Sequence, residues 1–70
     1  MPGDVGLVAA LLTKLLGYAV EPDGYSQWSR DRKLTRLMEG IDAALLVHDD
    51  TAVDVLFNEY RGVLLLQTGP

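Results

Sequence analysis

The sequence predicts a small all-α protein of three helical segments, in which the second and third segments form an antiparallel hairpin and self-association completes a small bundle. Three separate runs of apolar residues recur at i, i+3, i+4 and i+7, which is the period of a helix with one buried face. Helix-capping residues and glycines separate the runs. The chain has 70 residues, 49% of them hydrophobic, so residues 1–70 are expected to form one small helical domain.

The first predicted helix spans residues 4–16. Asp4 can cap its start, and Gly17 suits the left-handed position that follows a helix end. A secretory signal peptide does not fit this segment, because no charged region precedes the apolar run. A membrane span does not fit either, because it needs about 20 apolar residues, and Lys14 interrupts this shorter run.

Residues 17–28 are predicted to form a loop that contains a turn. The four residues 21–24 fit a type I turn, since Pro22 presets φ at the second position and Gly24 is favoured at the fourth. The loop also carries the aromatic residues Tyr18, Tyr25 and Trp28.

The second predicted helix spans residues 29–47 and the third spans residues 51–66. Ser26 or Ser29 can cap the second helix, and Asp50 or Thr51 can cap the third. Gly40 costs the second helix about 1 kcal/mol relative to alanine, which suggests a close helix crossing at that point. The connection around residues 48–50 is short, and short connections join antiparallel neighbours. The two apolar stripes should therefore face each other; they comprise Leu34, Leu37, Met38, Ile41, Leu45 and His48 on one helix, and Val53, Leu56, Phe57, Tyr60, Val63 and Leu64 on the other.

The charges are unevenly distributed along the chain. The net charge is −4, and all of that excess falls in residues 36–70, which contain six acids and two bases. Four of the six bases lie between Arg30 and Arg36. The hairpin would therefore have a basic end and an acidic end. An acidic chain disfavours general binding to nucleic acid or to anionic lipid.

The sequence offers little for catalysis or for a cofactor. It contains no cysteine, which excludes disulfides and thiolate metal sites and fits a reducing, cytoplasmic location. His48 lies close to several aspartates, but a zinc or iron site usually needs more nitrogen ligands than one histidine supplies. Both serines are predicted at the opposite end of the hairpin from His48, and no glycine-rich phosphate loop is present. We therefore expect no catalytic residue, no metal and no cofactor.

The best candidate contact site is the aromatic–basic segment, because Trp, Tyr and Arg are enriched in protein-binding hot spots. The same residues can stack bases and neutralise phosphates, and a third interpretation is that Trp28 only covers the end of the core. The residues of this segment are Tyr25, Trp28, Arg30, Arg32, Lys33 and Arg36.

Apolar residues outside the two stripes are candidates for an oligomer interface, here called the predicted seam. The seam residues are Leu7, Leu11, Val55, Leu65 and Leu66.

Together these features predict a non-enzymatic protein-binding module that forms homodimers or larger assemblies and acts as a regulatory or inhibitory accessory factor by occupying a partner protein. A peripheral membrane protein and a nucleic-acid-binding accessory protein are the alternatives. The membrane alternative is weakened by the first helix, which has Lys14 as its one base, whereas interfacial helices are rich in lysine and arginine. In size and composition the chain resembles the short helical accessory proteins that phages and mobile elements encode. No motif carries that likeness, so it assigns no residue roles.

Overall fold

The computed structural model describes residues 5–66, with the side chain of Leu66 left out of the description. Four helices occupy this range: α1 (Val5–Leu16), α2 (Pro22–Gln27), α3 (Arg30–Leu46) and α4 (Asp50–Leu66). No strand occurs within residues 5–66, so the protein is all-α as predicted. The predicted cap Asp4 lies outside the described residues.

The region predicted as a loop contains α2, and the prediction of a type I turn there is wrong. Pro22 stands at the first position of α2, where its fixed φ suits a helix and its missing N–H is not needed. A type I turn has nearly helical dihedrals, so local sequence distinguishes poorly between that turn and a first helical turn. Tyr25 then anchors α2, because its side chain is buried in the core.

The ends of α1, α3 and α4 follow familiar capping chemistry. Gly17 follows α1 with a φ of +81°, as predicted. Ser29 caps α3, since its side chain accepts a hydrogen bond of 3.2 Å from Arg32 N. The cap of α4 is Asp49, whose Oδ1 accepts a hydrogen bond of 3.1 Å from Ala52 N, so the predicted caps Asp50 and Thr51 are wrong by one or two residues.

A Schellman motif ends α3, with a histidine where glycine is usual. His48 N donates to Leu45 O at 3.2 Å and Asp49 N donates to Ala44 O at 2.9 Å, which is the hydrogen-bond pair of that motif. His48 has a φ of +57°, a left-handed conformation that strains residues with a Cβ. Only residues 47–49 join α3 to α4.

The core lies where α1, α3 and α4 meet. Leu12 of α1, Leu37 of α3 and Leu56 of α4 are all 0% exposed. The helices approach one another closely at Gly40: a Cβ built there would lie 2.8 Å from Leu12 Cδ2 and 3.1 Å from Leu56 Cδ1. The close helix crossing predicted at Gly40 is thus confirmed.

Thr13 fixes the chain between α1 and α2. Its hydroxyl accepts a hydrogen bond of 2.8 Å from Val20 N and lies 2.9 Å from Ala9 O, to which it can donate. This contact holds Val20, which is 7% exposed, in the core. The local sequence around Thr13 does not indicate this role, because the contact spans seven residues.

Candidate functional site

The structure brings the residues of the aromatic–basic segment together, and they contact one another. The rings of Tyr25 and Trp28 meet edge to face with centroids 5.4 Å apart. The guanidinium of Arg32 lies 4.7 Å from the centroid of the Trp28 ring, and Lys33 Nζ lies 5.2 Å from the centroid of the Tyr25 ring. Cation–π contacts of this kind contribute about 0.5–1 kcal/mol at exposed sites. Both cations therefore already have an aromatic neighbour within the protein.

Tyr25 is a core residue. Its side chain is 1% exposed, and its hydroxyl donates a hydrogen bond of 2.5 Å to Glu59 Oε2. Burial, together with the hydrogen bond and the negative charge of Glu59, raises the pKa of the Tyr25 hydroxyl far above its usual value. Tyr25 therefore ties α2 to α4 as part of the core, and its burial removes it from the predicted contact residues. Sequence reasoning gave Glu59 no role, because it lies 34 residues from Tyr25.

The arginines Arg30 and Arg36 pair with acids on their own helix. Arg36 Nη1 donates to both carboxylate oxygens of Glu39, at 3.2 and 3.1 Å, and Arg30 Nη1 lies 3.9 Å from Asp31 Oδ1. Each arginine side chain is about one third exposed. These pairs reduce the positive charge that this end of the molecule offers to an acidic partner.

The residues of the predicted seam are divided between the core and the surface. Leu11 and Val55 are partly buried and pack against the core. Leu7 is 43% exposed on α1, and Leu65 is 64% exposed on α4. The side chain of Leu66 lies outside the described part of the chain. Two of the four described seam residues thus contribute to the packing of the single chain.

A different apolar surface runs along α3 and α4, and we call it the open face. It consists of Met38, Leu45, Phe57 and Leu64, which are 41%, 55%, 50% and 36% exposed. Met38 and Leu45 are seven residues apart on α3, as are Phe57 and Leu64 on α4, and residues at that spacing share one side of a helix. The expectation that the whole of both stripes is buried between the helices is therefore wrong for these residues.

The open face lies on the side of α3 and α4 that is turned away from α1 and α2. Gly40, which meets Leu12 of α1, is two residues from Met38 and so roughly 160° from it around α3. Glu59, which forms a hydrogen bond with Tyr25 of α2, is two residues from Phe57 and so roughly 160° from it around α4. The small residues that allow close packing, Gly40, Ala44 and Ala52, are all buried. The positions of these small residues in the sequence could have distinguished the buried edge of each apolar stripe from its exposed edge.

The turn between α3 and α4 carries His48 and Asp49. Asp49 caps α4 and its Oδ2 lies 4.0 Å from Lys14 Nζ. These side chains and His48 border a shallow depression of about 540 Å³. Across residues 5–66, no group of three or more histidines or acids is arranged to hold a metal ion.

Comparison with known proteins gives no relative: the chain matches no protein family model, no characterised protein and no solved structure. In the described part of the chain, no helix is both long enough and apolar enough to cross a membrane.

Proposed function

We propose that the protein is a small non-enzymatic protein-binding module that acts as an accessory or regulatory factor by occupying a partner protein. The open face carries this proposal, because its four large apolar side chains are each at least 36% exposed. Contiguous apolar patches on small proteins mark interaction sites, whereas scattered exposed leucines do not.

The proposed arrangement of the open face depends on α3 and α4 forming an antiparallel hairpin. The three-residue connection and the contact region of Gly40 with Leu56 support this arrangement. Leu45 then lies nearest the connection, Met38 and Phe57 lie side by side in the middle, and Leu64 lies furthest away. A patch of this shape fits a helix laid along the groove between α3 and α4.

Site-specific photocrosslinking tests the proposal. A photoreactive phenylalanine analogue is placed at Phe57 on the open face or, as the control, at Leu46, which is 82% exposed but is rotated by about 100° from Leu45 around α3, outside the open face. In the cells that produce the protein, we expect a crosslinked product of defined mass from position 57 and none from position 46. Equal products from both positions, or none from either, would contradict the proposal.

A second copy of the chain is the other candidate occupant, in keeping with the predicted homodimer. Light scattering over a range of protein concentrations measures this directly. If the open face pairs two copies, Leu45→Ser lowers the mass to that of a monomer and Leu46→Ser does not.

A further inference from the structure

We propose that the partner that covers the open face is a basic amphipathic helix. This inference rests on the proposed function and specifies the chemistry of the partner. It follows from the charges that surround the open face.

Four aspartates border the open face and form what we call the acidic rim. Asp31 lies seven residues before Met38 on α3, and Asp50 lies seven residues before Phe57 on α4, so each continues the same side of its helix. Asp42 lies four residues after Met38 and three before Leu45, and Asp54 lies three residues before Phe57, so both flank the apolar residues. All four aspartates are exposed. The acidic rim consists of Asp31, Asp42, Asp50 and Asp54.

Little within the chain neutralises the acidic rim. Asp31 lies 3.9 Å from Arg30, and no salt bridge of Asp42, Asp50 or Asp54 is found among residues 5–66. Arg61 lies four residues after Phe57 and so shares this side of α4. Most of the other bases are engaged at the aromatic–basic segment, as in the contacts of Arg32 with Trp28 and of Arg36 with Glu39. The open face therefore combines an apolar centre with a negative border.

This combination favours a basic helix over a second copy. Two copies placed face to face would bring the eight rim aspartates of the two copies together, and like charges across an interface are costly. A helix with leucines on one side and lysines or arginines flanking them places a positive charge beside each aspartate. The chain's net charge of −4 also attracts such a helix before contact. From Asp31 to Leu45 the face extends about 21 Å, or four turns of a bound helix.

The test uses two synthetic helical peptides of about 17 residues, long enough to span the face. Both carry leucines at i, i+4, i+7 and i+11; one has lysines beside them and the other has glutamates at the same places. Binding of each fluorescein-labelled peptide to the full-length protein is measured by fluorescence anisotropy. We expect the lysine peptide to bind at least about tenfold more tightly than the glutamate peptide.

Two pairs of matched variants locate the binding site of the lysine peptide. Leu45→Ser should weaken binding about tenfold or more, and Leu46→Ser should leave it unchanged. Asp42→Asn combined with Asp54→Asn should weaken binding about fivefold. The control Glu21→Gln with Asp23→Asn removes the same charge from the exposed start of α2 and should have little effect.

Any other outcome contradicts the inference, and the pattern of results identifies which part of it is wrong. If both peptides bind equally and Leu45→Ser weakens both, the protein-binding function stands and the basic partner is wrong. If the two charge variants weaken binding equally, net charge rather than the rim selects the peptide. If neither peptide binds and the protein is a dimer that Leu45→Ser dissociates, a second copy is the occupant. If neither peptide binds and the protein is a monomer, the basic helix is rejected and the crosslinks at position 57 decide the proposed function separately.

Discussion

The two sides of the α3–α4 pair both carry apolar residues but meet different surroundings. On the covered side, Gly40 lets α1 approach and Tyr25 reaches across to Glu59, so the residues there are almost fully buried. On the open side, the four apolar residues remain at least 36% exposed. The covered side therefore supplies stability, and the open side stays exposed to solvent. Substitutions of the same kind on the two sides should have different effects.

The largest expected difference is between two leucines on opposite sides. Leu56→Ala removes a side chain that is 0% exposed and should lower the free energy of unfolding by about 2–5 kcal/mol. Leu45→Ala, where 55% of the residue is exposed, should lower it by less than about 1 kcal/mol. Urea unfolding followed by circular dichroism measures both. Equal losses would mean that the open face also belongs to the core.

The next comparison is between two glycines inside helices. Gly40→Ala places a Cβ 2.8 Å from Leu12 Cδ2 and 3.1 Å from Leu56 Cδ1, so at least one of these fully buried side chains must shift. Overpacking costs about 1–3 kcal/mol, which should exceed the gain in helix propensity of about 1 kcal/mol. Gly62→Ala meets nothing within 4 Å and should stabilise the protein by about 0.5–1 kcal/mol. Stabilisation by both substitutions would contradict the close crossing at Gly40.

Tyr25→Phe tests the hydrogen bond that holds α2 on the covered side. The loss should be about 1 kcal/mol near neutral pH. Because the folded protein raises the pKa of the Tyr25 hydroxyl, the unfolded chain loses this proton more readily than the folded one. The stability from this group is thus complete below about pH 10 and is lost as the pH rises further.

Unfolding measured between neutral and alkaline pH should therefore show a smaller stability difference between the wild type and Tyr25→Phe as the pH rises above about 10. Tyr18→Phe is the control, because Tyr18 is 45% exposed. A difference that stays constant with pH would show that the Tyr25 proton is not linked to folding.

The smallest expected effect is at the turn, outside both faces. His48→Gly relieves a left-handed conformation and should stabilise the protein by up to about 1 kcal/mol. In a domain of this size that gain raises Tm by about 4–8 °C. Gly17→Ala, at the other left-handed position, should lower Tm. Peptide binding to the open face should be the same in both variants, since neither substitution changes that face.

The aromatic–basic segment shows how far local sequence can identify a contact site. The proximity of Trp28 to Arg32 follows from their spacing of four residues, and the structure places them in contact. The burial of Tyr25 does not follow from any local pattern, because it depends on Glu59 in a distant helix. The assignment of Tyr25 to the core therefore required the tertiary structure.

The apolar stripes show the same limit in the helices. Spacing predicted which residues share one side of α3 and of α4, and small residues at Gly40 and Ala44 marked the edge that packs closely. Which edge would be covered depended on where α1 lies. Val8 and Leu12 of α1 are buried in the core. Because α1 covers one edge of the α3–α4 pair, the opposite edge stays exposed.

The sequence by itself determined the all-α class, the ranges of the three longer helices to within one or two residues, and the excess of acids along the second half of the chain. These properties depend on residues close to one another in the chain, through helical spacing and capping. The tertiary structure decided that residues 22–27 are helical, that Tyr25 is buried against Glu59, and that Met38, Leu45, Phe57 and Leu64 are exposed. Each of these outcomes depends on contacts between distant segments, whose packing free energy outweighs local preference.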